Sequence, residues 1–255
     1  MKIIQKDKLT LKIFETRQQL GQNAAAEIAA CFIKLLEQKE HISVIFAAAP
    51  SQNETLWTLR EHSEIDWPRI HAYHMDEYVG LSQHAPQRFA SYLKDALFDH
   101  VPLGRVEYLD PVGDPKAEAM RYAALLKEDP ADVVCMGIGE NGHIAFNDPH
   151  VADFHDPLAV KMVDLDSVCR MQQVHDGCFA SLDRVPVSAL TLTVPTLAAA
   201  TYRFCMVPAA SKAQAVKNTL EGEISVGCPA SILRLTENSV MYCDADSASL
   251  LSGGL

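Results

Sequence analysis

The residues best suited to chemistry fall in three short segments. The first is MGIGENGHIAFNDP, Met136 to Pro149. Gly137, Gly139 and Gly142 let a backbone take positive φ and approach a ligand closely. His143 lies inside that turn, with Asn141 before it and Asp148 after it. An imidazole with an acidic orienter can move protons near neutral pH. The second segment is HMDEYVG, His74 to Gly80. In extended backbone Asp76 and Glu77 point to opposite faces, so one can face a crevice while the other is structural. A carboxylate at a strand end, partly shielded from water, can act as a general base. The third is APSQNET, Ala49 to Thr55. Ser51, Gln52 and Asn53 open a helix there, and the free N–H groups of a helix start can hold a phosphate or carboxylate. Glu54 in the same turn would repel an anion that it faced.

Each segment also has a plain reading: an N-cap without a ligand, a turn with solvated acids, a glycine turn with a surface histidine. The plain reading is least comfortable for the glycine segment, because three glycines around one histidine are an expensive way to build an ordinary turn. The pattern is not a dinucleotide fingerprint, since no suitably placed acid follows it, nor a Walker loop, since no GK[ST] follows. NDPHVADFHDP, Asn147 to Pro157, holds His150, Asp153, His155 and Asp156, but no spacing matches a metal site and it reads as a solvated loop. His71 and His74, three apart on a strand, face opposite sides and fail as a pair.

The elements that must position these segments are legible as an alternation. Strands are expected over Leu11–Phe14, Ser43–Ala49, Arg69–His74, Val106–Leu109, Asp132–Ile138, Arg203–Val207 and Ser239–Cys243. SVIFAAA and DVVCMGI are continuous apolar runs, which suit strands covered on both faces. Helices are expected over Asn23–Gln38, Asn53–His62, Phe89–Phe98, Pro115–Lys127 and Lys212–Leu220. This order predicts an α/β fold: one Rossmann-like domain over residues 1–255, with a mainly parallel sheet and helices on both faces. Ligands in such sheets sit at the carboxyl ends of strands, where all three segments fall.

Composition narrows the partners. The net charge is −11, from 22 basic and 33 acidic residues, which argues against nucleic acid. No apolar run reaches the ~18–20 residues of a membrane helix, and the charged N-terminus is unlike a signal peptide. The seven cysteines are scattered, odd in number and free of any CxxC pair, which argues against a disulfide framework or a zinc site. A reduced, cytoplasmic setting follows.

Taken together, the order and spacing of the segments resemble the glucosamine-6-phosphate deaminase family, within the wider group that includes 6-phosphogluconolactonases. HMDEYVGL with HAPQRFASYL resembles the family's MDEYVGL segment and its following helix. MGIGENGHIAFNDP resembles GxGxDGHIAFNEP. VPVSALTLTVPTLAAA, ASKAQAVKNTLEG and CPASILRL resemble three later segments, so the likeness runs from SVIFAAA to the end of the chain. It implies the deaminase-type open sheet. It also implies ring opening of an amino-sugar phosphate, proton transfer from C2 to C1 and release of ammonia, a hydrolase-class reaction without metal or other cofactor. By position, Asp76 matches the enolising base, His143 the ring-opening acid/base and Lys212 the phosphate-binding lysine. Asp148 stands where a Glu usually backs the histidine. Glu77, Gly139 and Gly142 are carried as substrate-side residues with Ser51, Gln52 and Asn53.

The departures are specific. Asn141 replaces an Asp, and an amide orients an imidazole without stabilising imidazolium as a carboxylate does. Pro50-Ser51-Gln52-Asn53-Glu54-Thr55 replaces a glycine-bearing phosphate loop, leaving side-chain amides as donors. The second phosphate cation is assigned to Arg170 with Gln173, although Arg170 lies two positions before the family arginine. The region that forms an allosteric site in some hexameric members lacks a basic cluster apart from Lys161, so activation by an N-acetylated sugar phosphate is not expected. A homo-oligomer is possible, but a hexamer is not assumed. The substrate is then glucosamine 6-phosphate or galactosamine 6-phosphate. The alternatives are a sugar-phosphate sensor without turnover and a lactonase of the sister group.

Overall fold

The computed structural model describes residues 1–252. In chain order its elements are β1 (Lys2–Lys6), β2 (Leu9–Ile13), α1 (Arg17–Leu36), β3 (Ile42–Phe46), α2 (Asn53–Leu59), β4 (Ile70–His74), β5 (Asp76–Tyr78) and α3 (Phe89–Leu93). They continue as β6 (Arg105–Glu107), α4 (Pro115–Glu128), β7 (Val133–Met136), β8 (Val160–Asp164), α5 (Ser167–His175), β9 (Ser188–Leu192), α6 (Val194–Ala198), β10 (Tyr202–Val207), α7 (Ala213–Glu221) and β11 (Ser239–Cys243).

Eight strands form the main sheet in the order β1-β2-β11-β10-β7-β3-β4-β6, parallel throughout except for the β1–β2 hairpin. The α/β expectation holds. β3, β7 and β10 are buried along their lengths because apolar clusters cover both faces: Phe32, Leu56 and Phe98 belong to one, Tyr122, Leu197 and Val216 to the other. The chain runs outward from β3 through β4 to β6, then restarts at β7 on the other side of β3. That reversal opens a crevice at the carboxyl ends of β3 and β7.

A second sheet, β5-β9-β8, was not expected. One residue, Met75, separates β4 from β5, so the chain leaves the large sheet for the small one at Asp76, which pairs with Thr191. Boundaries also moved for local reasons. The first helix starts at Arg17 rather than Asn23, because Thr16 accepts the Gln19 N–H as its cap. Phe89–Phe98 is α-helical only to Leu93 and continues as a π turn. Ala48 and Ala49 leave the β3 ladder, to which Ala47 still holds through the Cys135 carbonyl, and all three line the crevice. In the Asn147–Pro157 segment, Asn147 and Asp148 are buried rather than solvated. Asn147 Nδ2 donates to the carbonyls of Ile144 and Leu192, which ties this segment to the small sheet.

Candidate active site

Four strand ends and α5 converge on one cavity. Its lining includes Ser51 after β3, Asp76 at β5, His143 after β7 and Lys212 before α7. Gln172, Gln173 and Asp176 reach it from α5 and the residue after it, while Phe89 and Phe146 form an apolar wall. The two rings stack with centroids 5.5 Å apart.

Asp76 is 6 % exposed, and its carboxylate accepts no hydrogen bond among the described residues. Burial, and secondarily the neighbouring Glu77, pushes its carboxyl well above the usual range. His74 positions it from behind. Its Nε2 accepts the Leu109 N–H, so its Nδ1–H donates to the Asp76 carbonyl at 2.9 Å. Burial lowers the His74 pKa to about 4, keeping it neutral for that task.

His143 is held by its own turn. Its backbone N–H donates to Asn141 Oδ1 and its carbonyl accepts from Gly139 N–H. A Cβ at Gly139 would lie 2.1–2.3 Å from three atoms of the imidazole, so glycine is required for the ring to lie there. Gly142 has φ +81°, and a Cβ there would strike Cys228 Sγ at 2.6 Å. His143 Nδ1 is 2.9 Å from Asp148 Oδ1, a close contact without hydrogen-bond alignment; among the described residues Nδ1 and Asp148 Oδ2 have no hydrogen-bond partner. Asn141 Nδ2 donates to Asp148 Oδ1 at 2.9 Å, so the amide orients the carboxylate behind the ring. Burial raises the Asp148 pKa, but His143, Asn141 and the Cys169 thiol together bring it below its ordinary value.

Lys212 is buried, and among the described residues its Nζ has no hydrogen-bond partner. Burial lowers its pKa, opposed by Asp176 and Glu140. The turn leading to it is pinned at Ala209, in a φ +84° conformation, whose N–H donates to both oxygens of buried Asp244. Ser51 Oγ accepts from Gln52 Nε2 at 2.9 Å. A Cβ at Gly137 would sit 2.9 Å from that Nε2 and 3.1 Å from Ser51 Oγ, so this glycine lets the β3 and β7 turns nest.

Several expected residues stand elsewhere. Glu77 is fully buried on the opposite face: it accepts the N–H groups of Tyr78, Phe89 and Ala90 and pairs with Arg88, anchoring the start of α3. It is structural because strand alternation turns it from the crevice that Asp76 faces. Arg170 points away from the cavity, donating to the carbonyls of Leu182 and Val185 at 2.6 and 2.9 Å. Asn53 Oδ1 accepts from Tyr92 Oη, and Gln52 lies behind Ser51; neither lines the cavity. Gly142 and Asn141 shape and orient the histidine turn without lining it. Gln173 does line the cavity. Its Oε1 accepts from Tyr78 Oη at 2.7 Å, leaving its amide N–H groups for a ligand. Gln172 and Asp176 went unnoticed in the sequence; their i, i+4 spacing on a capped helix was the available signal. Lys212 is the one lysine or arginine among the described lining residues.

This arrangement can place a desolvated base, an acid/base imidazole and an anion grip around one small molecule. A family model for glucosamine-6-phosphate isomerases/6-phosphogluconolactonase matches residues 15–242. The glucosamine-6-phosphate deaminase of Listeria innocua is 32% identical over 213 residues, covering 82% of this chain and 88% of that protein. The one from Lactobacillus delbrueckii subsp. bulgaricus is 35% identical over 192 residues, 74% and 79% of the two chains. A solved monomeric glucosamine-6-phosphate deaminase superposes with a TM-score of 0.85 at 29% identity, covering 94% of this chain and 99% of that one. The 6-phosphogluconolactonase of Thermotoga maritima shares the fold at a TM-score of 0.74 and 21% identity, covering 93% and 100%. With its residues from 15 to 242 matched and its sheet superposed, the chain belongs to the glucosamine-6-phosphate isomerase/6-phosphogluconolactonase family.

Proposed function

We propose that the protein converts an amino-hexose 6-phosphate, glucosamine 6-phosphate or its C4 epimer galactosamine 6-phosphate, to a ketose 6-phosphate and ammonia. The observation that carries this reading is Asp76, His143 and Lys212 lining one cavity from three separate strand ends. His143 gives a proton to the ring oxygen and takes one from the anomeric hydroxyl, opening the sugar. Asp148 and Asn141 hold its turn for that exchange. Asp76 removes the C2 proton and returns it at C1. A buried, unpartnered carboxylate is a stronger base than one in water, which suits a weakly acidic C–H. Water then adds at C2 and ammonia leaves, so the net C–N cleavage is hydrolytic. Lys212, with Ser51 and the Gln173 amide, receives the phosphate. The seven free thiols support a reducing, cytoplasmic setting. Among the described residues no helix is long and apolar enough to cross a membrane.

The test is a panel of amino- and non-amino-hexose phosphates, scored for ammonia and ketose phosphate together. Stoichiometric release of both from an amino-sugar phosphate is expected. Binding of the same compounds without product identifies a sensor instead, and acid release from a phosphogluconolactone identifies a lactonase.

A further inference from the structure

We propose that His143, Asp148 and Cys169 form a binding site for one thiophilic divalent cation of the zinc type, and that its occupancy silences the imidazole. The three donor atoms lie within 4.8 Å of one another, and all three residues are buried. Two of the three are unsatisfied: His143 Nδ1 and Asp148 Oδ2 have no hydrogen-bond partner, on side chains that are 9% and 0% exposed. Buried lone pairs left unused are unfavourable, so they mark a place where a cation gains contacts, replacing only the unaligned His143–Asp148 contact and the Cys169 thiol's approach to Asp148.

The donor chemistry selects the ion. One nitrogen, one oxygen and one sulfur suit zinc, whereas a sulfur donor is foreign to magnesium and calcium. A thiolate and a carboxylate balance a divalent charge, so the loaded site is neutral. Outer contacts that orient ligands are also in place: Asn141 Nδ2 holds Asp148 Oδ1, and Asp166 caps α5 through the Cys169 N–H at 2.7 Å. Entry is from the cavity, which His143 lines. Binding forms metal–sulfur, metal–nitrogen and metal–oxygen bonds and releases the Cys169 thiol proton to solvent, with no change in oxidation state. The metallated ring keeps its remaining proton on Nε2, so it can no longer alternate between donor and acceptor. Two other groupings differ: in His41, His71 and Asp129 the donor atoms already satisfy one another, and Asp148, His150 and Asp166 includes an exposed histidine and offers no sulfur.

The site itself is independent of the deaminase reading; only its inhibitory effect rests on it. Purified protein in a non-thiol reductant is titrated with cobalt(II). The expected result is a thiolate-to-cobalt charge-transfer band that saturates at one equivalent and is absent from Cys169→Ser but kept in Cys178→Ser. Zinc absorption fine structure on the unmodified protein needs no variant. It should show one sulfur at about 2.3 Å and the remaining ligands at about 2.0–2.1 Å. One equivalent of zinc should stop ammonia release, and a chelator should restore it. A band that survives in Cys169→Ser, a zinc shell with no sulfur or with two, or undiminished ammonia release from zinc-loaded protein would each overturn the proposal. If no amino-sugar phosphate is turned over at all, the spectra still decide the site.

Discussion

Replacing Asp76 with Asn separates the two consequences of burying a lone carboxylate. The side chain is 6 % exposed, accepts no hydrogen bond, and lies beside fully buried Glu77. Its folded-state pKa is therefore above the ~3.9 of an unfolded chain. The sign follows. As pH rises past ~3.9, the unfolded chain loses its proton first, so this group subtracts stability from there up through its folded pKa. Asn removes the charge and keeps the shape. A buried, unpartnered neutral group still costs about 1–3 kcal/mol and a charged one more; with the cavity side of Asp76 open, the excess for the charge is about 1–2 kcal/mol. At ~2–4 °C per kcal/mol for a chain of this length, Asp76→Asn should raise Tm by about 2–8 °C at neutral pH. Near pH 4 the gain should vanish, because Asp76 is then protonated in the folded protein. Turnover should fall by about 10²–10⁴, the usual contribution of a positioned base. Thermal melts at both pH values and an ammonia assay read all three effects. A variant that melts lower at neutral pH, or turns over unchanged, refutes the reasoning.

Three further perturbations address the other groups. Lys212→Met should leave kcat nearly unchanged but raise KM for a phosphorylated substrate by about 10–150-fold, the equivalent of ~1.5–3 kcal/mol for a charged hydrogen bond; initial rates over a substrate series decide it. It should not lower Tm at neutral pH, since burial disfavours the ammonium it removes. Gly139→Ala puts a methyl carbon 2.1–2.3 Å from His143 ring atoms, so the imidazole must move. A displacement of ~1 Å corresponds to about 10²-fold in kcat with a smaller change in KM, read from the same kinetics. Gln172→Arg supplies a second cation at the cavity wall and should lower KM about tenfold for the phosphorylated substrate while leaving KM for its dephosphorylated analogue unchanged.

The central strands and the turns that line the cavity were legible for the same reason: a strand buried on both faces must be continuously apolar, and SVIFAAA ends at polar PSQNET while DVVCMGI ends in a glycine-bearing turn. The β5-β9-β8 sheet was not, because three short antiparallel strands carry little period of their own and borrow their order from the large sheet. Alternation showed that Asp76 and Glu77 had to diverge, yet Glu77 was carried as a substrate-side residue beside Asp76 as the base. Its place is set by non-local hydrogen bonds from Phe89 and Ala90. Arg170 failed for a similar reason. A guanidinium attracts attention as an anion ligand, whereas its actual partners, the Leu182 and Val185 carbonyls, become visible only once the following loop is folded back.

Saturation, more than burial, distinguishes buried Glu77 and Arg234 from the charges that line the cavity. Glu77 is fully buried yet has three N–H donors and Arg88 around it. Buried Arg234 is spent on Asp7 and the Gly222 carbonyl. Within the cavity the pattern reverses. Among the described residues the Asp76 carboxylate accepts no hydrogen bond and Lys212 Nζ has no partner, while His143 and Asp148 behind the cavity meet without alignment. Each deficit is one that a phosphorylated amino sugar fills: a dianion for the ammonium, an acidic C–H for the carboxylate, a ring oxygen and hydroxyl for the imidazole. Buried charge without partners opposes folding, so a site that keeps it must be held by the surrounding structure. Here that support is explicit in His74 behind Asp76, Asp244 under the Lys212 turn, and Asn141 between His143 and Asp148. A substrate that satisfies these groups should therefore stabilise the fold as it binds, and more strongly in the wild type than in a variant whose cavity charges have been neutralised.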